Sequence, residues 1–279
     1  PPKEGMFSYI KAFYSCMTTI TINPKYEALR PFIESLPARF AHEGEEIYHA
    51  RNIIKVFQLS SAEPVLRHPS RSAALRLNVK RFHVPHGPNR LIYSWGIRQP
   101  KGRRAYDYPS RLLAKGIMTP EPIALIEERN ALGLLGYTYF ISEQLDWGHT
   151  LYEFGNAREG EYEDIAVALA RYAAQMHERG VLHRDFTPGN VLWRRDDDGY
   201  HFAVVDINRM YFGPVSERQG LLNLKKFWGP KRFTELLVRE YARQRHYDEA
   251  SAVSLVMDAR RRFWTRYQRK HQVAFKLEL

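Results

Sequence analysis

His183-Arg184-Asp185-Phe186-Thr187-Pro188-Gly189-Asn190 run consecutively, the apolar segment Val191-Leu192-Trp193 follows, and Val204-Val205-Asp206 ends a second apolar segment sixteen residues beyond Asn190. Two carboxylates and an amide so arranged suit phosphoryl transfer. One carboxylate must sit where it can accept the proton of an attacking hydroxyl. An amide oxygen and a second carboxylate must hold a Mg²⁺ that bridges the phosphates of ATP. A loop followed by a hairpin can bring the three together, because the hairpin folds Asp206 back beside Asp185 and Asn190. The hairpin turn is written in Asp196-Asp197-Asp198-Gly199.

The elements that must position these residues change character along the chain. Residues 38–41, 52–59 and 75–84 are β-rich runs, separated by the turn formers Glu43-Gly44-Glu45 and Ser60-Ser61-Ala62-Glu63-Pro64. A basic segment, residues 98–104, leads into a helix over 105–115, where Tyr106, Leu112 and Leu113 recur near helical spacing and Gly116 gives the stop. Thr119-Pro120-Glu121-Pro122 forces an extended turn before strands at 123–127 and 137–143. Beyond Gln144 the pattern is mainly helical: residues 163–179 carry Ile165, Leu169, Tyr172, Ala173 and Met176 on one stripe and end at Gly180, and helical patterning resumes from Ser216. There is no internal repeat or low-complexity tract. A strand-rich part followed by a helix-rich part predicts an α+β fold with two lobes, residues 23–143 and 144–279, after an N-terminal segment 1–22 given little weight.

Composition narrows the class. The 279 residues carry 42 Lys+Arg against 31 Asp+Glu, a formal charge of +11, with 44% hydrophobic and 26% charged residues. That is a globular balance and excludes a disordered or collagen-like chain. One cysteine, Cys16, excludes an internal disulfide framework and fits a reducing compartment. No window supplies the roughly 18 apolar residues of a membrane-spanning helix. Residues 6–22, the richest early stretch, are interrupted by Ser8, Lys11, Ser15 and a run of Thr, and lack the flanks of a signal peptide. The basic excess is densest at residues 98–104, 225–232 and 260–270. It suits either a solvated surface or a phosphate-bearing partner: nucleic acid, an anionic membrane face or a polyanionic glycolipid. Phe263, Trp264 and Tyr267 make residues 260–270 part of an amphipathic helix, which can pack on the core or lie on lipid.

The strings "HRDFTPGNVLW", "VVDINRMYFGPVS", "LNVKRFHVP" and "KGIMTPEPIALIE" together span residues 75–216. On these the chain resembles the protein-kinase-like superfamily, and within it the lipopolysaccharide kinases of the Kdo/WaaP type, particularly their short Bacteroides-like forms. "DINRM", in the place of the D-F-G of ordinary kinases, is the most discriminating string. The resemblance implies a β-rich ATP-binding N-lobe and a mainly helical catalytic C-lobe. It implies Asp185 as the base that takes the proton of a sugar hydroxyl, with Asn190 and Asp206 as holders of Mg²⁺. Lys80, on an alternating strand in the place of the V-A-I-K lysine, would face the α- and β-phosphates of ATP. The acid best placed to pair with Lys80 is Asp107, nine residues before Gly116. Backbone groups of Glu143 and Leu145, where the lobes join, would hydrogen-bond adenine. The chain also departs from the pattern. No G-x-G-x-x-G precedes the Lys80 strand, so the phosphate turn must lie near residues 43–52, with backbone N–H groups and Arg51 or Asn52 in contact. There is no A-P-E segment, and Thr187 stands where many protein kinases have a Lys two residues after the Asp. These departures argue against a peptide acceptor.

The leading expectation is therefore ATP- and Mg²⁺-dependent phosphorylation of a sugar hydroxyl in the inner core of lipopolysaccharide, the Kdo next to lipid A. The enzyme would be cytoplasmic, held peripherally at the inner face of the inner membrane by its basic surface, with no nucleic-acid partner. Two other readings stay open. One is a kinase-like enzyme for another small molecule or for protein, although the small-molecule enzymes usually need acidic pockets for cationic acceptors. The other is a non-catalytic nucleotide-binding regulator or nucleic-acid binder, which retention of Lys80, Asp185, Asn190 and Asp206 disfavours.

Overall fold

β-branched residues set the first strand. Met17–Ile22 (β1) carries Thr18, Thr19, Ile20, Thr21 and Ile22, a run that fits a pleated edge better than a helix. It pairs antiparallel with Pro122–Arg129 (β5), Ile20 opposite Ile126. The residues described by the computed structural model are 17–59 and 75–279. Cys16 and the expected turn at residues 60–64 lie outside them. Among the described residues, β1 and β5 join Leu135–Glu143 (β6), Leu75–Phe82 (β4), Ile53–Leu59 (β3) and Glu45–His49 (β2), in the order β1-β5-β6-β4-β3-β2, every pair antiparallel.

One face of this sheet is covered by Arg30–Arg39 (α1). Residues 38–41, expected as a strand, are instead the end of this helix and the turn after it. Phe32, Ile33, Leu36 and Phe40 fall at helical spacing and are all buried. Phe32 meets Phe57 edge-on at 5.9 Å and Phe40 meets Tyr139 at 5.5 Å. At about 1.5–3 kcal/mol for each fully buried large apolar side chain, this stripe outweighs the ~3 kcal/mol cost of a proline within a helix, here Pro37. A four-residue alternation cannot compete with it. On β4, Leu77 and Val79 belong to the core beneath α1. The alternate positions Asn78, Lys80 and Phe82 therefore face the other side of the sheet.

The turn expected near residues 43–52 is shorter than that. Glu45–His49 is strand, and only Ala50–Arg51–Asn52 connects it to β3, with the Ala50 N–H donating to the Asn52 carbonyl at 3.1 Å. The single glycine of the stretch is not at the tip. Gly44 precedes β2 at φ +81°, where a Cβ would come within 2.7 Å of the Phe57 ring, so it serves the core and not a ligand. Pro88–Ser94 (α2) and Lys101–Leu113 (α3) follow β4.

The chain forms two units: one runs to Ser110 and resumes over Pro120–Gln144, and the other takes Arg111–Thr119 and Leu145–Leu279. Residues 111–119 thus leave the range 23–143 suggested for the first lobe, and their bonds give the reason. The Met118 carbonyl accepts the Val204 N–H at 3.0 Å. The Thr119 hydroxyl donates to the Val204 carbonyl at 2.8 Å, and Arg179 donates to the carbonyls of Lys115 and Gly116 at 3.1 and 3.0 Å.

In the second unit Glu163–Glu178 (α4) buries Ile165, Ala166, Leu169, Ala170, Ala173 and Met176 and packs on Lys231–Gln244 (α6), which follows Glu217–Asn223 (α5). Gly180 ends α4 at φ +70°. Val181–His183 (β8) then pairs with Met210–Phe212 (β11). Val191–Asp196 (β9) and Gly199–Val204 (β10) form the hairpin, Val191 opposite Val204, and His149–Thr150 (β7) flanks β9. The last helix, Glu249–Gln268 (α7), buries Ala252, Val256, Ala259 and Trp264 against its unit. Arg260, counted from the sequence in a surface patch, is wholly buried. Its guanidinium donates to the carbonyls of Phe227 at 3.2 Å, of Gly229 at 3.1 Å and of Glu278. Burial pulls its pKa down to about 10, against the field of Glu278 and Glu235. It is a packing element, not a lipid contact. No described helix is long and apolar enough to cross a membrane.

Candidate active site

The motif residues take their positions from short pairings. The β8–β11 ladder sets Met210 opposite His183, and the Arg184 N–H donates to the Arg209 carbonyl at 3.1 Å. The His183 ring then ties the two acidic segments together. Its Nε2 lies 3.0 Å from the Val205 carbonyl, which can only accept, and its Nδ1 lies 3.1 Å from the Asp185 backbone N–H, which can only donate. This requires the neutral Nε2–H tautomer. Complete burial, which lowers the pKa of this ring, holds it there, against the Val205 bond and the charges of Asp206 and Asp185.

Asn190 closes the loop. Its Nδ2 donates to the Asp185 carbonyl at 2.9 Å, and its own carbonyl accepts the Val205 N–H at 3.0 Å. Asn190 is thereby bonded on one side to Asp185 and on the other to the residue before Asp206. With Nδ2 used, the amide's Oδ1 points away from the Asp185 carbonyl. At Gly189 the loop runs close to Tyr152, whose ring a Cβ there would meet at 2.5 Å.

Asp206 has left-handed backbone, φ 53° and ψ 43°, a conformation that costs a non-glycine residue roughly 1–2 kcal/mol. Asn208, buried, offsets part of this cost by donating Nδ2 to Asp206 Oδ1 at 2.8 Å. Asn208 was not legible as a functional residue, though it lies inside the "DINRM" string.

Asp185 is gripped by two cations that local sequence does not announce. Lys226, in the 3-10 turn Leu224–Lys226, places Nζ 2.6 Å from Asp185 Oδ1, and Arg209 places a guanidinium nitrogen 3.4 Å from Oδ2. The only hint of Lys226 was its membership of the basic stretch 225–232. Behind them runs a buried relay. Asn223 donates to the His183 carbonyl at 2.9 Å, and its Oδ1 lies 3.3 Å from His177 Nε2. His177 Nδ1 lies 2.8 Å from the Tyr241 hydroxyl, and burial lowers the His177 pKa to about 4. Neutral at physiological pH, it ties α4, α5 and α6 to the segment that bears His183 and Asp185.

Of the remaining expected residues, Lys80, Asp107 and Glu143 lie in the first unit and Leu145 in the second. Lys80 sits on β4 opposite Ile54 and Phe140, with Nζ 5.3 Å from the centre of the Phe82 ring. Glu143 ends β6, where its carboxylate accepts the Tyr26 hydroxyl at 2.6 Å and its N–H donates to the Glu121 carbonyl at 3.0 Å. Leu145 opens the long segment of the second unit. Asp107 is on α3. Burial raises its pKa; Arg103 and a 3.4 Å hydrogen bond from Gln99 oppose this, and Glu127 adds to it. Among the described residues these are the groups that act on Asp107, and Lys80 is not one of them. The acid on the inner side of this helix is met by Arg103, which pairs with Glu127 of β5 at 2.7 Å.

A six-stranded antiparallel sheet in one unit, and in the other a largely helical assembly holding Asp185, Asn190 and Asp206 around a hairpin, make a two-lobed α+β kinase-like phosphotransferase. The comparisons narrow this. The model of the lipopolysaccharide kinase (Kdo/WaaP) family matches residues 72–227, more than half of the chain, and the chain belongs to that family. Its structure is similar to one described as "WaaP in complex with acyl carrier protein", with 17% identity and a TM-score of 0.54, over 88% of this chain and 99% of that one. At that identity the likeness speaks for the fold. The family makes this chain a kinase, with ATP implied as donor and a glycolipid as the class of acceptor.

Among the described residues no group of three or more His, Cys, Asp or Glu is placed to hold a metal ion. The expected donor set is different: one amide oxygen, one carboxylate and the phosphates themselves. Asn190, whose Nδ2 is engaged so that Oδ1 is the amide's acceptor end, and Asp206, its carboxylate steadied by Asn208, fit that set in kind.

Proposed function

We propose that this kinase transfers the γ-phosphoryl group of ATP to a hydroxyl of Kdo in the inner core of lipopolysaccharide, the Kdo attached to lipid A. The arrangement around Asp185 carries the reading: a carboxylate fixed on both oxygens, hydrogen-bonded through its own backbone to Asn190 and through His183 to the segment bearing Asp206. Asp185 Oδ2, whose contact with Arg209 is the longer, is the oxygen that receives the sugar hydroxyl's proton. Oδ1 is kept by Lys226. Asn190 and Asp206 would hold Mg²⁺, which would neutralise charge on the phosphates. Lys80 serves the α- and β-phosphates, and the backbone carbonyl of Glu143 with the N–H of Leu145 serves adenine.

Thr187 leaves no cation two residues after Asp185, and Lys226 supplies that ammonium from 41 residues away. In this role it both orients the base and offers charge to the transferring phosphoryl group. Lys226→Met should then lower kcat roughly a hundredfold, the typical loss when one preorganised transition-state donor is removed, with little change in KM for ATP. Lys226→Arg should restore part of it. An unchanged kcat in Lys226→Met, or a loss that the arginine leaves unrepaired alongside an intact melting temperature, would reject the role.

The +11 charge supports an anionic acceptor and a peripheral position on the cytoplasmic face of the inner membrane. The test is direct. The protein is incubated with labelled ATP and lipid A precursors with and without Kdo, and product masses are read. One added phosphate only on Kdo-bearing acceptors is expected. Phosphate on the Kdo-free precursor, or on a peptide or aminoglycoside in preference, overturns the acceptor assignment.

A further inference from the structure

The first unit contains a cavity of about 250 Å³ that none of the roles above uses as a whole. It opens on the same side of the sheet as Lys80, beyond Phe82, whose ring forms part of its wall. Buried Phe82, Tyr93 and Leu135 make an apolar floor. The rim is cationic and rich in donors: Arg51 and Asn52 from the β2–β3 turn, His83 and His86 from the segment after β4, Asn89 of α2 and Lys101 at the start of α3. Among the described residues no carboxylate lines it. The rim is also preformed. Asn52 Oδ1 accepts the His83 N–H at 3.3 Å, which ties the turn to the strand exit and leaves Nδ2 as the amide's donor end. The Nε2 atoms of His83 and His86 lie 2.5 Å apart. One of these rings must donate to the other, which holds the two imidazoles together at the rim.

We infer that this cavity binds a phosphate group of one of the two reactants, either the end of the nucleotide's phosphate chain or an anionic phosphate on the glycolipid acceptor. Its size favours the group over the whole molecule, because sites for drug-sized ligands run to roughly 300–1,000 Å³. Its chemistry favours a dianion: an arginine, a lysine, two imidazoles and two amides converge on it, and charge-assisted hydrogen bonds of this kind are the strong ones. The inference rests on the cavity's own lining, so it stands or falls apart from the assignment of Asp185 and of Kdo.

Inorganic phosphate is the probe. In the full chain, labelled histidine ring signals are followed while phosphate is added, and the affinity is measured in parallel by calorimetry. Saturable binding that shifts the His83 and His86 signals is expected. Arg51→Gln and His86→Gln, both at exposed positions, should each weaken it roughly tenfold, the loss of one charge-assisted hydrogen bond. Arg266→Gln on α7 should leave it unchanged. Binding that does not saturate, or that Arg266→Gln weakens as much as Arg51→Gln does, overturns the proposal. Competition then identifies the source. Displacement of phosphate by ATP and ADP but not AMP assigns the cavity to the nucleotide, and displacement by phosphorylated but not dephosphorylated lipid A precursor assigns it to the acceptor. Displacement by neither overturns the assignment to a reactant.

Discussion

Asp185→Asn should cut transfer to the sugar about a thousandfold while leaving the protein folded. The substitution is nearly isosteric, and an amide oxygen can still accept from Lys226 Nζ, which lies 2.6 Å from Oδ1 in the native protein. The backbone bonds that shape the loop, from the Asp185 N–H to His183 and from Asn190 to the Asp185 carbonyl, do not involve the carboxylate. What is lost is the ability to take a proton. General-base catalysis contributes roughly 10²–10⁴-fold, and kcat should fall by about a thousandfold while KM for ATP stays near its native value. That split is the signature of an interaction made in the transition state only. Steady-state kinetics with circular dichroism and a melting curve decide it. Undiminished transfer by a well-folded Asp185→Asn protein would show that some other group takes the proton.

Asp206→Asn should remove the magnesium-dependent part of nucleotide binding. Asparagine is chosen because, after glycine, Asn and Asp tolerate the left-handed backbone seen at φ 53° best, so the variant keeps the turn that alanine would strain. The Asn208 bond to Oδ1 can also survive. Only the negative charge goes. Calorimetry of ATP binding with and without EDTA should show a large difference for the native protein and almost none for the variant. Metal-borne charge stabilisation is worth several kcal/mol, so kcat should drop on the order of a thousandfold. An Asp206→Asn protein whose ATP affinity still responds to EDTA as the native one does would place the metal elsewhere.

Much of the second unit was readable because its signals are local. The stripe of α4, the stop at Gly180 (φ +70°) and the Asp196–Gly199 turn each act within a few residues of themselves, and the structure has them at α4, at the entry to β8 and in the β9–β10 hairpin. The first unit was less readable. Its strands at residues 52–59, 75–84, 123–127 and 137–143 appear as β3 to β6 with shifted ends. By contrast, β1 and α1 were missed, for different reasons. β1 is an edge strand of mostly Thr and Ile whose partner, β5, lies about a hundred residues on. The α1 stripe was masked by Pro31 and Pro37, which read as breakers until the aromatic contacts with Phe57 and Tyr139 are counted. The same distance effect governs Asp107. A helix and an acid near the expected spacing were visible, but only packing decided that Arg103 and Gln99 are its neighbours and that burial raises its pKa.

From the linear chain alone come the family resemblance, the kinase chemistry and the set Asp185, Asn190 and Asp206. These sit in one eight-residue loop and at the end of the adjoining hairpin, whose pairing returns the chain from Asn190 to the residue before Asp206. Tertiary structure decided which charges press on that set and where basic residues go. Lys226 reaches Asp185 across 41 residues and Arg209 across 24, Arg260 turns inward to three carbonyls, and Arg51, His83, His86 and Lys101 meet at one cavity. A lysine or arginine looks the same in sequence whether it faces water, a carboxylate or a buried carbonyl. Its partner is chosen by the packing of distant elements, and that is settled only when the chain closes on itself.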